Sequence, residues 1–281
     1  IRYCEALSGG GIYIESANSN WITFDLSGGT ITYNYARDIV PIPSSGHKSY
    51  HKNAGGGVYV GDYVTMNMRG GTISYNQTSR EGGGVSLGWL NRNKGSAISS
   101  YITNFNMTGG SFIGNVATST GGGLNITAGR SAEIIAGYFT DNTANGTEYQ
   151  PGDSSRSWTV FSGGAIYLDA EQTDSRGNYA GVPGYAIIHR VLITDNTADY
   201  YGGGIATCST SSGTVNASVV LDGTLIYGNS ASINGNEMYL DGDVTLVGNK
   251  MLGGGVYSWS KSGYYYDNSL TQSSAAVQAG L

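Results

Sequence analysis

The stretch from Gly55 to Asn76 reads GGGVYVGDYVTMNMRGGTISYN, and its pattern recurs along nearly the whole chain. Each repeat starts with an opening segment: GGGIYI at Gly9, GGGVYV at Gly55, GGGVSL at Gly82, GGGLNI at Gly121, GGAIYL at Gly163, GGGIAT at Gly202 and GNEMYL at Gly235. Each ends with a closing segment: TITYN at Asn34, TISYN at Asn76, SFIGN at Asn115, YFTDN at Asn142, LITDN at Asn196, LIYGN at Asn229 and TLVGN at Asn249. Such repetition predicts a solenoid, because one unit alone cannot bury its apolar face.

Counting back from the closing Asn aligns six repeats without a gap and reveals three apolar columns. They contain Leu26, Met68, Met107, Ile134, Ile188 and Leu221, then Phe24, Met66, Phe105, Ala132, Ala186 and Val219, and then Ile31, Ile73, Phe112, Phe139, Ile193 and Ile226. The residues between the columns vary, and the opening segments alternate in the same way. This period of two predicts about three short strands per repeat, each with one buried face.

Stacking of like strands on like strands, with Gly and Asn at the corners, predicts a parallel β-helix. Asn tolerates the left-handed backbone conformation, and stacked Asn side chains form amide ladders from coil to coil. We therefore expect an all-β, single-stranded parallel β-helix of about seven coils of three short strands. Residues 1–8 would form an N-terminal cap or a preceding coil, residues 9–249 the β-helix, and residues 250–281 a C-terminal cap and linker.

Two motifs in these repeats resemble those of known surface proteins. GGAIYL at Gly163, together with the FxxN patterns that end at Asn115 and Asn142, resembles the paired GGAI and FxxN repeats of the polymorphic outer membrane proteins of chlamydiae. The chain is also similar to right-handed parallel β-helix surface proteins of other bacteria that carry GGGVY and ISxN repeats. The resemblance covers Gly9 to Asn249. It implies a right-handed β-helix passenger, at the bacterial cell surface or secreted, commonly an adhesin and without catalytic residues.

Composition narrows the classes of partner. Only 12% of the 281 residues are charged and the net charge is −6, which disfavours nucleic acid because phosphate binding needs a basic stripe. No apolar run approaches the length of about 18 residues that a membrane span needs, so we expect no membrane insertion. The numbering begins at Ile1 without Met, and we expect a part of a longer polypeptide. Cys4 and Cys208 lie on distant coils and should be free thiols. No cofactor is expected.

Four long insertions leave only two corners of the predicted coil: residues 35–54, 88–103, 145–162 and 169–185. Stacked loops on a solenoid often build its binding face. These loops carry Tyr50, Trp89, Arg92, Tyr101, Tyr149, Trp158, Tyr179 and Tyr185. Aromatic, weakly charged loops of this kind suit contacts with a glycan or a host protein. His47 and His51 lie in the first loop with no third ligand in view, which favours a solvated loop over a metal site.

A second candidate surface is the outward column of the opening strands. It consists of Tyr13, Tyr59, Ser86, Asn125, Tyr167, Ala206 and Tyr239. Tyr13 and Tyr59 should stack on adjacent coils and offer a flat aromatic platform to a sugar ring. The alternative is that tyrosine is simply favoured on an exposed strand and packs against its cross-coil neighbour.

A carbohydrate-active enzyme remains the main alternative to a binding module. Asp141 and Asp195 share a column on adjacent coils, so their carboxyl groups should lie roughly 5 Å apart, a separation found in retaining glycosidases. Asp and Asn are also natural corner residues, and a carboxylate pair can bind Ca²⁺ where further oxygen ligands are present. The sequence favours a non-catalytic display or adhesin module that contacts glycan or host protein. The other hypotheses are a β-helix hydrolase or lyase that uses this pair and a purely structural spacer.

Overall fold

The computed structural model describes residues 1–16, 20–37, 54–88, 103–146, 162–170, 182–208, 217–241, 243–247, 250–252, 256–260 and 263–267. The described chain is all β. It contains no helix, and therefore none that is long and apolar enough to cross a membrane. Its strands stack in parallel into four sheets and form a parallel β-helix of about seven coils, which confirms the predicted fold class.

The opening sheet contains the strands Ile12–Ile14, Val58–Val60, Val85–Leu87, Leu124–Ile126, Ile166–Leu168, Ile205–Thr207, Met238–Asp241, Val256–Ser260 and Gly263–Asp267. The middle sheet contains Ile22–Leu26, Val64–Met68, Thr103–Met107, Ser131–Ile134, Tyr185–His189, Ser218–Asp222 and Asp243–Val247. The closing sheet contains Thr30–Thr32, Thr72–Ser74, Ser111–Ile113, Gly137–Thr140, Val191–Thr194, Leu225–Tyr227 and Lys250–Leu252. The short sheet contains Glu5–Ala6, Tyr35–Ala36, Gln77–Thr78, Val116–Ala117, Thr143–Ala144, Thr197–Ala198 and Ser230–Ala231.

The three apolar columns stack in the predicted register. Phe105 pairs with Met66 on one side and Ala132 on the other, and Phe112 pairs with Ile73 and Phe139. The rings of Phe112 and Phe139 stack with centroids 4.6 Å apart. These side chains lie in one continuous buried core, because each coil covers the apolar face of the coil before it.

The coil has four strands instead of the predicted three. The additional strand is the two-residue strand that follows each closing Asn. Its second residue is buried in the five strands between the first and the last, as in Ala117 and Ala144. The sequence carries a signal for it, a column of small residues two positions after the Asn: Ala36, Thr78, Ala117, Ala144, Ala198 and Ala231.

The seventh closing segment was assigned wrongly. TLVGN was expected to close coil seven at Asn249, but Asp243–Val247 pairs with Ser218–Asp222 in the middle sheet. The closing strand is Lys250–Leu252, which pairs with Leu225–Tyr227. The next opening strand, Val256–Ser260, then pairs in parallel with Met238–Asp241, and Gly263–Asp267 returns antiparallel to it. Parallel pairing thus continues beyond Asn249.

The closing asparagines form the expected amide ladder, in which Nδ2 of each Asn donates to Oδ1 of the next. The distances are 2.8, 3.0, 2.9, 2.9 and 2.8 Å from Asn34 through Asn76, Asn115, Asn142 and Asn196 to Asn229. Nδ2 of Asn76 also donates to the Ile31 carbonyl, and its Oδ1 also accepts from the backbone N–H of Asn34. Each interior rung of the ladder therefore ties three consecutive coils together.

The second glycine of the first six opening segments leaves no room for a side chain. A Cβ at Gly83 would overlap the carbonyl oxygen of Gly122 and lie 2.6 Å from the backbone of Val116. Gly28 lies at a corner and does not have a positive φ. A Cβ added there would have no other atom within 4 Å.

We predict that Gly83→Ala lowers the free energy of unfolding by about 3 kcal/mol or more, because backbone atoms of the coil beside it must move. Gly28→Ala, the matched control, should leave the melting temperature almost unchanged. Thermal unfolding followed by circular dichroism measures both. Equal melting temperatures for the two variants would contradict the close packing of coils.

Glu237 occupies the position that the third glycine has in most of the other opening segments. It contacts Asn229, the last asparagine of the ladder. Its Oε2 accepts from Nδ2 of Asn229 at 2.6 Å, whereas its buried Oε1 has no partner in the described part of the chain. Burial raises the pKa of Glu237 from 4.5 to about 7, against the lowering effect of the Asn229 hydrogen bond.

Because this pKa is raised in the folded state, stability should fall as the pH rises from about 4.5 to about 7 and level off above that. Glu237→Gln keeps an acceptor for Asn229 but carries no charge. The variant should therefore lose this pH dependence of the free energy of unfolding, and it should be more stable than the wild type by about 3 kcal/mol at pH 8. Urea unfolding between pH 4 and pH 8 tests this, and parallel pH profiles for both proteins would show the expectation to be wrong.

Candidate functional site

The outward column of the opening sheet, hereafter the opening face, has the predicted register. Tyr13 pairs with Tyr59, and their rings stack with centroids 5.0 Å apart and an interplanar angle of 5°. Only Tyr13 is exposed, however, with 53% of its surface accessible, whereas Tyr59 and Tyr167 are buried. The expectation of a flat exposed platform is therefore wrong from coil two onward, although the stacking itself is confirmed.

The predicted loop residues are mostly outside the described part of the chain. This holds for Trp89, Tyr101, Tyr149 and Trp158, and also for Tyr50, Arg92, Tyr179 and the histidines His47 and His51. Tyr185 is described: it is the half-buried first residue of a middle strand, in register with Ser131 and Ser218. The strands on either side place all four insertions at two corners, before and after the opening strand.

A buried ion pair lies at the corner after the opening strands. Nη2 of Arg130 on coil four reaches Oδ1 of Asp62 on coil two at 2.6 Å, and its Nε donates to the Gly88 carbonyl of coil three at 2.5 Å. The Arg130 side chain is completely buried. Burial lowers the pKa of Arg130, and the Asp62 carboxylate opposes that shift. The Arg130 side chain therefore connects coils two, three and four by hydrogen bonds, close to Tyr59.

A second polar cluster lies on coils five and six. The Cys208 thiol donates to Oδ1 of Asp169 at 3.1 Å and accepts from the backbone N–H of Ala170 at 3.1 Å. Cys208 is buried and Cys4 is exposed. Neither forms a disulfide, as the sequence predicts. Burial raises the pKa of the Cys208 thiol and of the neighbouring Tyr167 phenol, and the Asp169 carboxylate raises both further. Both groups therefore stay protonated near neutral pH.

Among the residues that the structure describes, the most exposed aromatic stack lies elsewhere, at the corner just before the asparagine ladder. Tyr3, Tyr33 and Tyr75 form a continuous stack there, with ring centroids 5.6 and 5.2 Å apart, and we call these three residues the tyrosine ridge. They are 71%, 50% and 47% exposed. All three have left-handed backbone conformations, with φ of 58°, 52° and 53°, which is unusual for bulky residues.

The same corner column continues with Gly114, Asp141, Asp195 and Gly228, all at positive φ. Asp141 and Asp195 therefore do lie on adjacent coils, as predicted. Both are exposed, and each accepts a hydrogen bond from the threonine that precedes it, at 3.2 Å from Thr140 and 2.8 Å from Thr194. This geometry accounts for both as corner residues and adds two carboxylates to the edge that carries the tyrosine ridge.

Other titratable groups are dispersed. Nδ1 of His189 lies 3.2 Å from Oδ2 of Asp222 on the next coil, a pairing that sequence reasoning missed. Within the described ranges, no three His, Cys, Asp or Glu side chains come together as potential metal ligands.

Sequence reasoning recognised Tyr33 and Tyr75 as corner residues but missed the tyrosine ridge. The signal was present, because IRYC at the start of the chain repeats the ITYN that begins at Ile31. Cys4 takes the ladder position, and its backbone N–H donates to Oδ1 of Asn34 at 3.0 Å. The Arg130–Asp62 pair joins residues 68 positions apart and leaves no local pattern in the sequence.

We predict that Asp62→Ala destabilises the protein by about 3–5 kcal/mol, because it leaves the buried Arg130 guanidinium without its carboxylate. Glu5→Ala breaks the exposed Arg37–Glu5 pair and serves as the control, with little expected effect. Chemical unfolding of the two variants measures the difference. A loss no larger for Asp62→Ala than for Glu5→Ala would contradict the structural role of the buried pair.

Comparison with known proteins gives no match: no family model, no curated protein and no solved structure is significantly similar to this chain. The likeness to the GGAI and FxxN repeats of surface proteins therefore stays an interpretation of short motifs.

Proposed function

We propose that this chain is a non-catalytic, extracellular binding and display module that holds glycan along the tyrosine ridge. The observation that carries the proposal is the exposed stack of Tyr3, Tyr33 and Tyr75 on one edge of a rigid solenoid. A bacterial surface or secreted location agrees with the motif resemblance.

The backbone at the tyrosine ridge supports a functional reading. A left-handed conformation costs a residue with a Cβ about 1–2 kcal/mol, and glycine would avoid that cost. Gly114 and Gly228 do so at the same position of other coils. Ring stacking contributes about 0.5–1.5 kcal/mol for each of the two pairs. This does not exceed the backbone cost of three left-handed residues, so the three tyrosines add little to folding stability. An exposed stack that contributes so little to folding favours a role in binding.

The chemistry of the tyrosine ridge suits a sugar chain. Aromatic rings pack against the C–H faces of sugars, and the phenol hydroxyls can hydrogen-bond with sugar hydroxyls. Asp141 and Asp195 lie further along the same edge and offer acceptors to the hydroxyls of a chain that runs along the solenoid axis. Each coil advances the column by roughly 4.8 Å, so the three rings and the two carboxylates lie along one edge, separated by Gly114.

Retention on immobilised neutral and acidic polysaccharides and mucins tests the proposal. The double variant Tyr33→Asn and Tyr75→Asn removes two rings, and Asn tolerates the left-handed conformation. It should fold normally and bind a retained glycan at least about tenfold more weakly, as expected when central aromatic contacts are lost. Tyr138→Thr, which removes a tyrosine of similar exposure (41%) from the closing sheet, is the control and should bind like the wild type.

Equal retention of the double variant and the wild type would exclude the tyrosine ridge as the binding surface. New chain ends in the same wells, absent with Asp195→Asn, would instead support the enzyme hypothesis for Asp141 and Asp195. Absence of retention on every glycan, together with specific capture of a purified host protein, would redirect the proposal to a protein partner.

A further inference from the structure

The opening face contains buried polar groups that the proposed function does not use. Ser86 on coil three and Asn125 on coil four are register neighbours and are 0% and 1% exposed. Their strand neighbours, such as Val85 and Leu87, point into the core, so both polar side chains point away from it.

Each of the two side chains has one polar atom without a hydrogen-bond partner among the described residues. Within the described part of the chain, Oγ of Ser86 and Nδ2 of Asn125 are two of four buried side-chain atoms without one. A third is Oγ of Ser162, which precedes the opening segment of coil five. Oδ1 of Asn125 is satisfied by the Thr120 hydroxyl at 3.0 Å, which fixes the amide so that its Nδ2 is the free donor. Ala206 occupies the same column on coil six without an unpaired group, so the fold does not require polar side chains here.

The surroundings select against charged ligands. The guanidinium of Arg130 is already bonded to Asp62 and Gly88. Burial raises the pKa of Tyr59, the Arg130 guanidinium lowers it, and the carboxylates of Glu15, Asp62 and Glu81 oppose that lowering. Burial also raises the pKa of Tyr167, and the carboxylates of Asp169 and Glu81 raise it further, so carboxylates outnumber the single guanidinium at this face. An anionic ligand would be repelled, and a cation could not accept from Nδ2 of Asn125. A neutral ligand with hydroxyl or carbonyl oxygens remains.

We propose that Ser86 and Asn125 form a second site, which binds a small neutral polyhydroxy ligand such as a monosaccharide between the buried rings of Tyr59 and Tyr167. The two tyrosines lie on coils two and five and bracket the two polar side chains along the solenoid axis. Nδ2 of Asn125 donates to a ligand oxygen, and the Ser86 hydroxyl donates or accepts. Because unpaired buried groups destabilise the empty protein, binding should compensate for them.

The test is a thermal-shift and calorimetric titration with glucose, galactose and N-acetylglucosamine, with glucuronate as the anionic comparison. At least one neutral sugar should raise the melting temperature of the wild type, and glucuronate should not. Ser86→Ala and Asn125→Leu, made separately, should each bind that sugar about tenfold more weakly or worse, which corresponds to the loss of one hydrogen bond. Without sugar, Ser86→Ala should melt at or above the temperature of the wild type.

Several results would overturn the proposal. They are the absence of a shift with any neutral sugar, an undiminished shift in both variants, or a lower melting temperature of Ser86→Ala without sugar, which would indicate bound structural water. The Tyr33→Asn and Tyr75→Asn variant should keep the shift in full. Loss of the shift in that variant would place the sugar on the tyrosine ridge and contradict the second site.

Discussion

The asparagine ladder is the interaction on which the rest of the structure depends. Each interior rung satisfies a buried carboxamide by bonding to the coil before it and the coil after it, and an unpaired buried amide would be costly. The ladder fixes the position of one corner in the six coils from Asn34 to Asn229, and the strands on both sides then share a common register. The apolar columns stack because this corner is fixed, and the opening glycines bring neighbouring coils into close contact.

The ladder also determines where the tyrosine ridge lies. The residue before each described ladder Asn is left-handed, from Tyr33 to Gly228, because the chain must turn sharply to aim the amide along the axis. At that position glycine is the easiest choice and aspartate bonds to the preceding threonine, whereas tyrosine brings an exposed ring. The same constraint that builds the rod therefore aligns side chains along one outer edge. The opening face differs, since polar groups there are buried between Tyr59 and Tyr167.

Much of the fold could be predicted because each coil repeats the same physical problem. Apolar columns such as Met68, Met107 and Ile134 and the closing asparagines are strictly spaced, so alignment of the repeats revealed both core and ladder. The sequence does not predict the short strand, because two residues are too few to show a period. It predicts the wrong closing strand for coil seven, because Gly248-Asn249 has the same residues as the closing corner Gly228-Asn229. The burial of Tyr59 and the Arg130–Asp62 pair depend on contacts between distant coils, which no local pattern encodes.

Hydrogen exchange on the intact protein tests whether the tyrosine ridge binds glycan. Backbone amide exchange would be compared with and without the polysaccharide that the protein retains best. We expect added protection in the peptides that contain Tyr3, Tyr33 and Tyr75, with the interior ladder amides slow to exchange in both states. Protection confined to other parts of the chain, with these three peptides unchanged, would contradict it.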